Sequence, residues 1–267
     1  MTLSGDKGQK LAVIGHSSEP EGGEEGALYY NTGSNLFYYY NDDYWREFGG
    51  SATIFTIQNT GSLASGLTTY YKCDTSGSFP DELGSFDGTI YGATYTASGK
   101  INGAYSYAGD NDYITIGTGT DFTTGSEGTI TGWFKINDTN NNYIISKDDG
   151  TNKEFAIFYV NDVLYANLFS DVTGIGEVIT GSVLQNTWYH FGFTWNNGST
   201  EMYLNGSNTD SQTYVSKNTG VSAITYLGRC STNYFCGSID EIGIWDRTLG
   251  SNEISSLYND GSGLPYD

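Results

Sequence analysis

Thr129-Ile130-Thr131-Gly132-Trp133-Phe134-Lys135-Ile136 decides the fold class. Ile130, Phe134 and Ile136 fall on one side and Trp133 on the other, the alternation of a β-strand that buries one face. The same reading extends in both directions. Asp112 to Ile116 is a short strand ending at Gly117. Glu154 to Val160 and Val163 to Phe169 predict a hairpin around Asn161-Asp162. Trp188 to Trp195 is a further strand, and Glu201-Met202-Tyr203-Leu204 runs into Asn205-Gly206, a strong two-residue hairpin turn. Ser238 to Trp245 supplies the last long strand. Strands at this spacing predict an all-β chain folded as a two-sheet sandwich, with alternate residues of each sheet facing inward.

Composition agrees. The chain has 267 residues, 37% of them apolar, and 23 Tyr and 5 Trp supply much of that fraction. Such rings bury a large area while keeping a polar edge. The 37 glycines suit many short strands joined by tight turns. A formal charge of −20 with only 11 Lys and Arg argues against nucleic acid, whose phosphates require clustered cations. It also repels anionic membrane surfaces. Neutral glycans remain open as ligands, and acidity also serves simply to keep an aromatic-rich surface soluble.

Residues 1–50 read as an attachment and assembly segment. Met1 to Gly8 lacks the apolar core of a signal peptide, and no apolar run approaches the ~20 residues of a membrane-spanning helix. The expectation is a protein without membrane insertion or evident export route, either a virion-surface protein released by lysis or a secreted protein whose signal has been removed. Gly5 to Lys10 has glycines in a three-residue register, too few to build a triple helix. Ser17 to Gly26 is a polar connector. Ala27 to Asn31, Leu36 to Tyr40 and Tyr44 to Phe48 then form a small aromatic β-meander, with Thr32 to Asn35 and Asn41 to Asp43 as turns. Residues 51–66 are a linker with one candidate strand at Thr53 to Ile57, and 67–267 form the sandwich domain.

Two resemblances follow. Tyr70-Tyr71-Lys72-Cys73-Asp74, Gly99 to Tyr107, Gly132-Trp133-Phe134, Tyr203-Leu204-Asn205-Gly206, Leu227-Gly228-Arg229 and Phe235 to Trp245 resemble, in order, the laminin-G-like domains of the concanavalin A-like lectin/glucanase group, which implies an antiparallel jelly-roll sandwich. The tail Arg247 to Asn259 fits as well, as a short helix with Ser251 as N-cap and Ile254, Leu257 and Tyr258 on one apolar face. Gly26 to Thr32 and Tyr40 to Trp45 resemble a short element of phage tail-fibre and other virion fibre proteins.

The glucanase relatives imply paired carboxylates on one strand face, across a scissile bond. Here Asp240 and Glu241 are consecutive, so plain alternation sends them to opposite faces, and no enzyme is expected. His16 and His190 are the only histidines, and His190 reads as a sheet residue with its hydrogen bonds satisfied. The laminin-G-like resemblance implies a Ca²⁺ held by Asp74 and Asp240, with Asp87 nearby in the pattern; the alternative is that these aspartates bond backbone N–H groups in turns. Tyr143, Trp195 and Tyr234 are candidate platforms for sugar rings, or else packing residues. Cys230 and Cys236 flank a strand connection, which leaves either a disulfide or two small thiols, and Cys73 is expected in the core.

The function these features suggest is a non-enzymatic virion fibre or spike protein with a lectin-like head for host-surface glycans, held to other virion proteins by its N-terminal segment. The two-faced aromatic meander is too small to fold alone, which points to homo-oligomerisation, most naturally a trimer. The alternatives are a capsid-decoration protein without a specific ligand and a secreted carbohydrate-binding module.

Overall fold

A computed structural model describes residues 15–16, 28–31, 36–41, 44–47, 62–117, 125–138, 142–148, 153–170, 176–196, 198–214, 216–218 and 223–266. The expected glycine register at Gly5 to Lys10, the connector Ser17 to Gly26 and the strand at Thr53 to Ile57 lie outside them. The chain divides into two compact units, Met1–Ile54 and Phe55–Asp267. In the first, Leu28–Asn31, Leu36–Asn41 and Tyr44–Glu47 pair antiparallel in sequence, and Gly15–His16 adds a short parallel strand beside Leu28–Asn31.

The second unit is a sandwich of two antiparallel sheets. One is eight-stranded, in the spatial order Ser207–Thr213, Ser199–Leu204, Trp188–Asn196, Glu127–Ile136, Cys236–Trp245, Gly103–Ala108 and Thr94–Ile101, with Leu67–Tyr71 also pairing with Cys236–Trp245. The other is seven-stranded: Gly176–Ser182, Val163–Leu168, Lys153–Val160, Asn142–Asp148, Thr225–Leu227, Tyr113–Ile116 and Thr89–Tyr91. A small hairpin, Arg229–Cys230 with Asn233–Tyr234, lies beside Asn142–Asp148. The two expected hairpin turns form as the residue types require. Asn161 and Asp162 take φ of 50° and 65°, Asn205 and Gly206 take 50° and 76°, the left-handed pair that matches strand twist.

Inward-facing side chains of both sheets make one core. Ile130, Phe134, Phe191, Phe193 and Ile239 meet Ile114, Phe155, Ile157, Leu164 and Ala166 there. A second apolar cluster covers the outer face of the eight-stranded sheet, where Tyr70, Tyr203 and Trp245 pack under Ile254 and Leu257 of the helix Ser251–Tyr258. The N-cap is Gly250, one residue before the expected Ser251. Glu253 Oε2 accepts the Gly250 N–H, closing the first turn from within. Leu63 is buried in this cluster and its carbonyl accepts the Trp245 indole N–H at 2.7 Å. Sandwich packing therefore begins before Leu67, inside the stretch expected to be linker.

One irregularity matters for the chemistry. Thr131 pairs with Gly243 and Trp133 with Asp240, so Gly132 faces two residues, Glu241 and Ile242. This bulge places Glu241 at φ 51°. A Cβ on Gly132 would lie 2.3 Å from Ile242 Cδ1, which is why glycine stands opposite the extra residue.

Candidate functional site

The outer face of the seven-stranded sheet carries a row of aromatic rings. Strand register places Tyr143 opposite Phe158, Phe158 opposite Tyr165, and Tyr165 opposite Ile179. Their neighbours Ile144, Ile157 and Leu164 point into the core, so the row itself points out. Tyr143 stacks on Phe158 at 5.1 Å between centroids and 23°, and Phe158 on Tyr165 at 5.3 Å and 9°. All three rings are half-buried, and Ile179 ends the row 41% exposed. Rings this close and this parallel stack face to face across three strands, so the row is a rigid aromatic ridge with ring edges and partly covered faces turned outward.

The same face holds a second aromatic group around a guanidinium. Tyr226 and Tyr113 project outward from Thr225–Leu227 and Tyr113–Ile116, and Tyr234 arrives from the small hairpin. The Arg229 guanidinium carbon lies 4.7 Å from the Tyr113 ring centroid, 5.1 Å from Tyr226 and 5.7 Å from Tyr234. Tyr91 stacks on Tyr113 at 4.6 Å. Arg229 Nε donates to the Ser231 carbonyl at 2.9 Å. Beside it is a notch of about 160 Å³ lined by Asp148, Tyr226, Arg229, Ser231 and Thr232. Lys153 Nζ lies 3.3 Å from Asp148 Oδ2 at this edge.

Of the three expected platforms, Tyr143 and Tyr234 sit on this face, whereas Trp195 does not. Trp195 is 1% exposed, on the inner face of its strand with Phe193, and its indole N–H donates to the Gly125 carbonyl. Its strand neighbours Phe191 and Phe193 share the core side, and strict alternation carries Trp195 with them. The larger hollow, about 590 Å³, opens on the eight-stranded sheet between Thr194, Asn196, Ser199, Glu201 and Tyr203 and the start of the helix. Tyr203 is 3% exposed with its hydroxyl donating to Glu201, so that hollow presents no ring face.

Of the three aspartates expected to hold Ca²⁺, the fold brings Asp74 and Asp240 to one turn and leaves Asp87 in another loop. Asp74 Oδ1 accepts the Gly103 N–H and Asp240 Oδ2 accepts those of Lys100 and Ile101, so both grip the hairpin turn between Thr94–Ile101 and Gly103–Ala108. Asp87 Oδ1 accepts the Asp81 N–H in a different loop, which Asp81 itself organises by accepting from Tyr70, Leu83, Ser85 and Phe86. Among the described residues no three His, Cys, Asp or Glu side chains are arranged to hold a metal. Asp240 Oδ1 is buried with no hydrogen-bond partner among the described residues.

The bulge overturns the expectation that Asp240 and Glu241 face opposite ways. Both point to the outer face, where they are nevertheless buried, and Glu241 Oε2 accepts from the Tyr70 hydroxyl at 2.5 Å. Burial raises both carboxyl groups, Asp240 to about 8. His190 is a buried sheet residue, but its Nδ1 lacks a hydrogen-bond partner, and burial pushes its pKa down to about 3. Cys230 and Cys236 are free thiols rather than a disulfide, as is the buried Cys73. Cys236 lies against Gly109, while Cys230 is beside Asp148.

Phe158, Tyr165, Tyr113, Tyr226 and Arg229 were not singled out from the sequence. A signal for the first two existed: a two-residue turn at Asn161-Asp162 pairs Val160 with Val163 and therefore Phe158 with Tyr165.

Known proteins share this architecture. The receptor-binding domain of botulinum neurotoxin D superposes with a TM-score of 0.62 at 14% identity, over 73% of this chain and 53% of that one. Domain 4 of AbnA, an extracellular GH43 arabinanase from Geobacillus stearothermophilus solved in complex with arabinotriose, gives 0.60 at 22% identity, over 72% and 98%. In sequence, the chain is 28% identical over 111 residues to the pentraxin fusion protein of Xenopus laevis, a match covering 36% of this chain and only 27% of that protein. Residues 108–255 match the Laminin_G_3 family, described as the concanavalin A-like lectin/glucanases superfamily. With its two-sheet sandwich and more than half its length inside that match, the chain belongs to the laminin-G-like family of the concanavalin A-like lectin/glucanase superfamily.

Proposed function

We propose that this chain is a non-enzymatic lectin-like protein that holds glycans on the outer face of its seven-stranded sheet, as the head of a virion fibre or spike. The observation that carries the glycan reading is the Tyr143–Phe158–Tyr165 stack, a half-buried aromatic ridge on a sheet face that also carries a notch of hydrogen-bonding groups. A similar sandwich is solved with arabinotriose, which supports the same ligand class. Against catalysis stands the burial of Asp240 and Glu241, at 0% and 3% exposure; a glycosidase needs its two carboxyls open to a sugar on either side of the bond. The virion part of the reading rests on the aromatic segment Ala27 to Phe48 and its resemblance to fibre elements, together with its folding as a small meander. A printed glycan array probed with the whole chain tests the ligand. Retention of a defined set of glycans, weakened in Phe158→Ala, is expected; no retention at any density overturns the reading.

A further inference from the structure

We propose that the Arg229 notch selects acidic sugars, anchoring a glycan carboxylate on the sheet face that also carries the aromatic row. This rests on the glycan reading of the same face and adds the class of sugar.

The chain carries 31 acidic residues against 11 Lys and Arg, so a cation on its surface should have no difficulty finding a carboxylate. Lys72, Lys147, Lys153, Lys217 and Arg247 each do. Arg229 does not. Its one hydrogen bond runs from Nε to the Ser231 carbonyl, and among the described residues its terminal nitrogens have neither an ion-pair nor a hydrogen-bond partner. The guanidinium is nonetheless held fast by the three tyrosine rings within 4.7–5.7 Å. A planar fork held by stacking, with its outer N–H groups turned to a notch, is preorganised for a planar oxyanion. Ordering costs on binding are correspondingly small.

The notch around it suits one acidic sugar rather than a long anionic chain. Its volume is about 160 Å³, and Ser231, Thr232 and Tyr226 add hydroxyl or carbonyl partners for ring hydroxyls. Asp148 also lines it, but its charge is offset by Lys153 at 3.3 Å, leaving Arg229 as the uncompensated charge. The carboxylate so held sits on the sheet face that carries Tyr143, whose strand is the one bearing Asp148.

The test is binding of the whole chain to matched pairs: sialyllactose beside lactose, and oligogalacturonate beside its methyl ester, which keeps the shape and removes the charge. The acidic member should bind at least tenfold tighter, a difference of about 1.4 kcal/mol. That preference should shrink as salt is raised and disappear in Arg229→Gln. Arg229→Lys, which keeps the charge without the fork, should retain only part of it. Equal binding of acidic and neutral members overturns this inference and leaves the glycan reading standing. So does a preference that survives in a folded Arg229→Gln, or one for sulfated over carboxylated sugars. Should Arg229→Gln fail to fold, the wild-type pairs and Arg229→Lys decide. Absence of binding to every member, neutral ones included, overturns both.

Discussion

Asp240 and Glu241 are neighbours on the outer face of one strand, and two carboxyl groups that close together, out of water, hold their protons. Asp240 is raised from its ordinary value to about 8 in the folded chain. Its contribution to stability is therefore complete below about pH 4 and lost as pH rises through about 8. The melting temperature should fall between pH 5 and 9, and Asp240→Asn, which keeps an oxygen for the Lys100 and Ile101 N–H groups, should flatten that fall; an unchanged slope contradicts the assignment. His190 works from the other side. Buried between Trp133 and Tyr258 and depressed to about 3, it contributes stability that is lost as pH drops from 6.5 towards 3. His190→Gln should therefore lose less than the wild type between pH 6 and 4, measured by thermal melts. The strand holding Asp240 was legible from its alternation. The orientation of Glu241 was not, because a bulge is set by register with a partner strand more than a hundred residues away, and Gly132 takes on meaning only once that partner is known.

At the scale of elements, turn chemistry carried most of the information. Asn161-Asp162 and Asn205-Gly206 are turns from sequence alone, and each fixes the pairing of the strands beside it. Pairing between strands distant in sequence, such as Asn142–Asp148 beside Thr225–Leu227, has no such local mark, and this is why the guanidinium cluster stayed hidden. Stacked on both sides, Phe158 holds the aromatic row together. Phe158→Ala should cost about 1–3 kcal/mol in denaturant unfolding, while Ile179→Ala at the exposed end should cost under about 1 kcal/mol. Equal costs would mean that the row is not one stacked element. The turn gripped by Asp74 and Asp240 is tighter still. A Cβ on Gly99 would lie 1.8 Å from the Gly103 carbonyl oxygen, so Gly99→Ala should destabilise the sandwich by about 3 kcal/mol. Gly77→Ala, with nothing within 4 Å but φ of 80°, serves as the control and should cost only about 1 kcal/mol.

Considered whole, the chain joins a sandwich of the concanavalin A-like lectin/glucanase superfamily to a second compact unit that holds the aromatic meander. The meander is too small to be stable alone, and the proposed fibre role predicts association into closed trimers, which would cover its rings without leaving a growing edge. Mass measurement of the whole chain beside one beginning at Phe55 should show a trimer and a monomer respectively; a monomeric whole chain contradicts the fibre reading. Composition placed boundaries at 50 and 66, where the aromatic meander and the polar stretches interrupt the strand spacing, and the compact units divide between Ile54 and Phe55. Which sheet face presents the rings was not visible, because Tyr143 and Trp195 look alike in sequence and only packing sends one outward and the other into the core. The outward face is where the function is placed, and titration calorimetry tests it most directly. A glycan retained on the array should bind the wild type with measurable heat, and Tyr143→Ala and Tyr165→Ala, each folded by its melting curve, should weaken it at least tenfold, about 1.4 kcal/mol. Full affinity in both folded variants would contradict the account.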